Sequence, residues 1–228
     1  MTIRYVTTSP GPRPQSYGVE IGDDFTALGW QTFGDRVGRF RRALTATERQ
    51  AVERALDAAR VAGPTPPAGG PRRPGATTER IIADGVDLVV GDDTPAGATG
   101  LVDRLRDLQA DLADSPVAAV ELEVTAPPLG GRLRHVGAEP IAVRVASLTV
   151  SVAVFGPDNA LVDTVDRTVG ASVVGDLIKS GWTLTLADDL GAPPVPAGGF
   201  LTVTVGGAEL DVLADGILRA VEWGWVSE

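Results

Sequence analysis

Ile141-Ala142-Val143-Arg144-Val145-Ala146-Ser147-Leu148-Thr149-Val150-Ser151-Val152-Ala153-Val154-Phe155 is the stretch on which the fold turns. Apolar and polar residues alternate, the signature of a half-buried strand. Val143 and Val145 set one phase, but after Ala146-Ser147 the apolar series resumes one residue later, at Leu148, Val150, Val152 and Val154. A phase slip of one residue turns every side chain to the opposite face, so the chain must hold a bulge there or cross between sheets. The surrounding sequence has the same texture. Val120, Leu122 and Val124 alternate with Glu121 and Glu123; Trp182, Leu184 and Leu186 form another strand; and turns at Gly206-Gly207 and Asp215-Gly216 punctuate a closing meander. The last strand puts Val221, Trp223 and Trp225 on one face. No stretch of helical period follows Val117, so residues 116–228 are expected to form an all-β antiparallel, sandwich-like domain.

Residues 1–115 read differently. Ile3 and Tyr5 share a strand face, and so do Tyr17, Val19 and Ile21 beyond the Pro-rich turn Ser9 to Pro14. A third strand is expected from Leu28 to about Phe40, broken by Gly34 and Gly38. The period then changes to that of a helix. Thr45-Ala46-Thr47-Glu48 fits a capping box, Val52, Ala55, Leu56 and Ala59 follow at helical spacing, and Gly63 ends the run. Residues 63–78 hold five prolines and four glycines, a linker or long loop that carries neither helix nor ladder. Asp84-Gly85 between Ile81-Ile82-Ala83 and Val86–Val90 predicts a type I′ hairpin. Thr94 is the expected cap of a second helix with Pro95 at its first position and Leu101, Val102, Leu105, Leu108 and Leu112 as its apolar stripe. The first domain, 1–115, is therefore α+β in the order βββα-ββα.

The formal net charge of −10 is unevenly spread: 16 acidic and 14 basic residues fall in 1–115, but 14 and 6 in 116–228. Such a field repels phosphate backbones and anionic lipid, which argues against nucleic acid as the main partner and against a membrane surface. The chain has no Cys, which excludes disulfides and thiolate chemistry. Neither a signal-peptide core nor an apolar run of membrane length is present, so the cytoplasm is the expected compartment. All but one of the 20 basic residues are Arg, a bias of GC-rich bacterial coding that weakens any inference from Arg number.

Catalytic constellations are scarce, and no catalytic, cofactor-binding or metal-binding residue is assigned. His135 is the single histidine, and Gly130-Gly131-Arg132-Leu133-Arg134-His135 reads as a surface loop with a solvated side chain. Asp23-Asp24, Asp92-Asp93 and Asp188-Asp189 offer a carboxylate-based metal or acid–base site, but beside Gly and Thr such pairs usually form turns and caps. Gly91 to Gly97 lacks the lysine of a phosphate loop and carries two negative charges where phosphates would lie. Arg36, Arg39, Arg41 and Arg42, interleaved with Phe33 and Phe40, form the one basic aromatic stretch. It is a candidate surface for RNA or an acidic protein face, with an edge strand kept soluble by its arginines as the favoured reading. Trp225, nearest the carboxy terminus, is a candidate contact residue.

The order of elements in the first half, from the strand and turn Ile3 to Gly11, through a capped helix, a Pro-rich break and a hairpin at Asp84-Gly85, to the Leu-rich helix Pro95 to Leu112, resembles the emfourins. These are small protein inhibitors of thermolysin-like metalloproteases. The resemblance implies an inhibitory contact at Ser9 and Gly11, where this chain has Ser9-Pro10-Gly11 in place of the family's Ser-Gly-Gly. The expected function is thus a non-enzymatic protein–protein interaction or regulatory role, with a protease as one partner. The alternatives are a structural subunit of a larger assembly and a carboxylate-based, metal-dependent enzyme or binder.

Overall fold

The computed structural model describes residues 2–10, 15–63 and 76–227, the side chains of 172–175 excepted. Gly11 and nearly all of the Pro/Gly-rich stretch 63–78 therefore lie outside the described residues. In chain order the elements are β1 (Ile3–Ser9), β2 (Gln15–Ile21), β3 (Thr26–Gln31), β4 (Phe33–Gly34), β5 (Arg36–Ala43), α1 (Ala46–Ala62), β6 (Thr78–Ala83), β7 (Val86–Val90) and α2 (Ala96–Leu112). They continue with β8 (Pro116–Thr125), β9 (Gly130–Val136), β10 (Ile141–Phe155), β11 (Leu161–Ile178), β12 (Thr183–Ala187), β13 (Phe200–Leu210) and β14 (Arg219–Val226). The chain is mostly strand, with two helices among the described residues, both before β8. It divides into two compact units, 1–30 with 39–116 and 31–38 with 117–228. A division at 115/116 would keep residues 31–38 with the first part; they join the second because β4 pairs in parallel with β14, Phe33 beside Glu222 and Gly34 beside Trp223.

In the first unit β1 lies between β2 and β6, and β7 completes the β6 hairpin, all antiparallel. One sheet face, with Ile3, Tyr5, Val19, Ile21, Ile81 and Leu88, is buried together with Val52 and Leu56 of α1 and Leu101, Leu105 and Leu108 of α2. The predicted capping box is present: Thr45 Oγ1 accepts from the Glu48 amide, and the Glu48 carboxylate accepts from the Thr45 amide. Three local expectations change. The strand expected from Leu28 to Phe40 with breaks at Gly34 and Gly38 is β3, β4 and the start of β5, interrupted at Thr32 and Asp35, while Gly38, at φ 138°, lies inside β5. The hairpin turn at Asp84-Gly85 is not type I′, since only Gly85 has positive φ, at 77°. Thr94 does not cap α2: its hydroxyl accepts from the Gly91 amide, closing a turn, and Pro95 stands at the cap.

The second unit is built from strands throughout. β8 pairs with β9 and β9 with β12, while β10, β11, β13 and β14 form a separate antiparallel sheet in the order β11-β10-β13-β14, with β4 beyond β14. Both groups of strands contribute to one apolar cluster, Val120, Leu122 and Leu133 from the first meeting Val143, Val150, Val203, Val205 and Trp223 from the second. The phase slip in 141–155 is a bulge: Val143 and Val145 are buried, Ala146 and Ser147 are exposed, and Leu148, Val150 and Val152 are buried again. Gly206-Gly207 is not a turn, because β13 runs straight through it. Gly207, at φ 99°, faces the β10 bulge so closely that a Cβ there would lie 2.5 Å from the Ser147 carbonyl oxygen. Only glycine serves at such a position.

Candidate functional site

The basic stretch was expected at an edge, but β5 is an inner strand of its sheet. Phe40 is buried, and Arg41 donates its amide to Ser115 O. Arg36 and Arg42 are held in ion pairs. Arg36 Nη2 lies 2.6 Å from Glu121 Oε1, in a network where Arg134 also reaches Glu121 and both Arg132 and Arg134 reach Glu123. Arg42 grips the Glu48 carboxylate with both terminal nitrogens, at 3.0 and 2.6 Å, and Asp111 approaches at 3.6 Å. Arg42 first, with the Thr45 amide and hydroxyl adding to it, holds the Glu48 carboxyl down at about 2. Arg39 is half-buried and Arg41 exposed. The stretch is therefore integrated into structure on either side of Gly38 and does not present a row of free cations.

Ser9 closes β1, where its Oγ meets Thr77 Oγ1 at 2.8 Å. Strand register places Ser9 opposite Gln15 and Thr8 opposite Thr78, so the end of β1, the start of β2 and the start of β6 lie at the same end of the sheet. The face of β1 turned away from Ile3 and Tyr5 carries Arg4, Val6 and Thr8 beside Thr78, Arg80 and Ile82 of β6, around a shallow depression of about 250 Å³. Beside it the Trp30 indole lies flat over Gly18, where any Cβ would fall 2.5 Å from the ring. Trp30 Nε1 donates to Ser16 Oγ at 3.3 Å, and the Arg4 guanidinium stands 5.4 Å above the ring, in cation–π range. Ile82 is 43% and Leu28 44% exposed. The sequence contained this surface in outline, because the alternation that buries Ile3 and Tyr5 must turn Arg4, Val6 and Thr8 outward.

His135 is a correction. It belongs to β9, not to a surface loop, and is 2% exposed, paired across the sheet with Val120, its amide bonded to Trp182 O. Neither ring nitrogen meets hydrogen-bonding geometry. Burial pushes the imidazole below its ordinary value, with the Glu139 backbone opposing in part. The acidic pairs are engaged locally: Asp24 accepts from the amide and hydroxyl of Thr26, and Asp189 from the Gly191 amide. Among the described residues no three His, Asp or Glu side chains converge in the manner of a metal centre. Between α1 and α2 a cleft of about 460 Å³ is floored by Leu44, Val52 and Leu108, and its carboxylates Glu48 and Asp111 already face Arg42. Trp225 is half-buried against the core of the second unit, next to fully buried Trp223, whose Nε1 donates to Val120 O at 2.8 Å. Among the described residues no helix is long and apolar enough to cross a membrane. No family model matches the chain, and no curated protein or solved structure matches it either.

Proposed function

We propose that the chain is a non-enzymatic, protein-binding regulator whose first unit meets its partner through the helix-free face of β1 and β6. The observation that carries this reading is that face itself, where exposed Ile82 and Leu28 lie near the Arg4–Trp30 stack. Apolar area framed by Arg and an indole is the composition of binding hot spots. The resemblance to emfourins adds a partner class, a thermolysin-like metalloprotease, and a contact at the Ser9 end of β1. A sandwich-like second unit is supported by the single apolar cluster that its two groups of strands share.

Two measurements test the proposal. The full chain, titrated into a thermolysin-like protease, is expected to slow peptide hydrolysis, and Ser9→Trp to weaken that effect; undiminished hydrolysis removes the inhibitor reading. Affinity capture from bacterial extract is expected to retain a defined protein that Ile82→Glu releases. Capture unaffected by Ile82→Glu would take the partner off this face.

A further inference from the structure

The 18-residue strand β11 is an edge of its sheet, bonded to β10 on one side only. Edges of this length are ordinarily guarded by charged side chains, Pro, bulges or a short span. Leu161–Ile178 contains no Pro, its charged residues are Asp163, Asp166, Arg167 and Asp176, and Leu161, Val162 and Leu177 are 61%, 58% and 61% exposed. The Thr164 amide donates to the neighbouring Asp163 Oδ1 at 2.8 Å, which marks Thr164, and with it Asp166 and Thr168, as residues whose backbone groups face outward from the sheet. Those groups are what a further strand would bond.

We propose that the occupant of this edge is a second copy of the chain, paired β11 to β11 about a two-fold axis through Val165 so that two five-stranded sheets become one. The sequence selects both partner and register. A two-fold normal to the sheet keeps each residue on its own face, so only residues an even number apart stand opposite one another. On β11, Asp163, Val165 and Arg167 lie opposite Val154, Val152 and Val150 of β10 and so share one face. With Val165 on the axis, Asp163 opposes Arg167 of the second copy and Arg167 opposes its Asp163, giving two symmetric ion pairs. Leu161 then faces Val169, and Val162 faces Thr168. Thr164 and Asp166, the outward-bonding residues, exchange backbone hydrogen bonds once the Thr164 amide and the Asp163 carboxylate release one another. Val165 and the charged pairs fall at the closely spaced, non-hydrogen-bonded positions, where side chains approach most nearly. Neighbouring registers lose this match: an axis through Asp166 sets two carboxylates face to face, an axis through Arg167 sets two guanidiniums together, and an axis through Thr164 leaves both charges opposite Val or Leu. Arg167 is already steadied near the edge by its 3.3 Å bond from Nη1 to Asp189 O, with Nη2 against Gly191.

The test is the solution mass of the full chain by size exclusion with light scattering. The wild type is expected at twice 23.6 kDa. Arg167→Asp and Asp163→Arg are each expected to run as monomers, and the double exchange to restore the dimer, a rescue that damage to folding does not produce. A monomeric wild type at the highest concentration reached overturns the proposal, and so does a dimer indifferent to both single reversals. Should a reversal fail to fold by circular dichroism, Val165→Cys decides. In a chain without other cysteines it is expected to form an intermolecular disulfide on mild oxidation, and failure to cross-link overturns the two-fold register.

Discussion

The two units solve one problem in different ways. Each must bury the face of a sheet; the first does so with two helices and the second with further strands. A helix completes its own backbone hydrogen bonds, so α1 and α2 add no edge, and the first unit keeps the five-residue edge strand β7 beside the side-chain surface of the Arg4, Val6 and Ile82 face. Strands used as a cover bring edges with them, and the second unit is left with a main-chain surface along β11. The first kind of surface selects partners by side-chain chemistry, the second by register. Ion pairs occur in both units, Arg42 with Glu48 and Arg106 with Glu79 in the first, Arg36, Arg132 and Arg134 with Glu121 and Glu123 in the second; the apolar cluster of the second unit adds the Trp223 indole bond as a satisfied buried polar contact, with His135 buried nearby.

The sharpest break of this comparison uses one tryptophan from each unit. Trp223 is 1% exposed inside the cluster, so Trp223→Ala removes its packing, its bond to Val120 O and the filling of an enclosed space. The expected loss is about 3–5 kcal/mol. Trp30 is 6% exposed, packed over Gly18 beneath the Arg4 guanidinium and outside the cluster that holds Trp223. Its loss should be nearer the transfer cost of a large apolar side chain, about 1.5–3 kcal/mol. Urea unfolding of both variants measures the two, and equal losses would mean that Trp30 sits in a closed core.

Legibility in the sequence also divides between the units. The helix cap at Thr45, the apolar stripe of α2 and the phase slip in 141–155 were readable because each is a local pattern of fixed period. His135 was misread because Gly130-Gly131 suggests a loop, whereas Gly131 is glycine for a packing reason: a Cβ there would press on Leu186 and Leu190 at 3.3 Å. The assignment of residues 31–38 to the second unit depends on pairing with β14, almost 190 positions away, and no local period encodes such a partner. Of the candidate contact residues, Arg36 could not be seen as spent, since Glu121 lies far off in sequence, whereas the main partner of Arg42, Glu48, is a near neighbour in the capping box. Gly18 was passed over because its role, clearing room for Trp30, appears only when β2 meets β3.

A pH titration separates the units again, with a smaller effect. Burial lowers the imidazole of His135 from its ordinary 6.5, so in the folded chain it stays neutral where the unfolded chain has begun to take up a proton. The unfolded state then binds more protons, and stability must fall as pH drops below about 6.5, by at most about 1.4 kcal/mol per pH unit for one group. Glu48, held at about 2, moves in another window: its contribution is complete above the ordinary 4.5 and is lost only as pH falls from there toward 2. Asp215 of the second unit, also at about 2 through Arg219, loses its contribution over a similar acid range, so strong acid weakens both units. Only the interval between about 6.5 and 5 is specific to His135. Urea midpoints at pH 7 and pH 5 should differ in the wild type and converge in His135→Phe; an unchanged difference in that variant would assign the slope elsewhere.

The smallest expected effect belongs to the first turn of α1. Thr45 Oγ1 accepts from the Glu48 amide at 3.2 Å and donates to Glu48 Oε2 at 2.8 Å, and the Thr45 amide donates to the same oxygen at 2.7 Å. Thr45→Ala deletes the first two bonds and leaves the third, so the loss should be about 1 kcal/mol, the usual worth of an N-cap hydroxyl. Thr45→Ser keeps the oxygen and should lie close to wild type. The Glu48 carboxyl should titrate somewhat higher in Thr45→Ala yet stay below 4.5, because Arg42, its largest stabiliser, is untouched. Hydrogen exchange gives the location as well as the size: amides in the first turn of α1 should exchange faster in Thr45→Ala, while those of β10 and β13, which belong to the other unit, keep their wild-type rates. If the β10 amides speed up equally, the two units unfold as one cooperative body, and the contrast between a helix-covered and a strand-covered sheet ceases to be a contrast in stability.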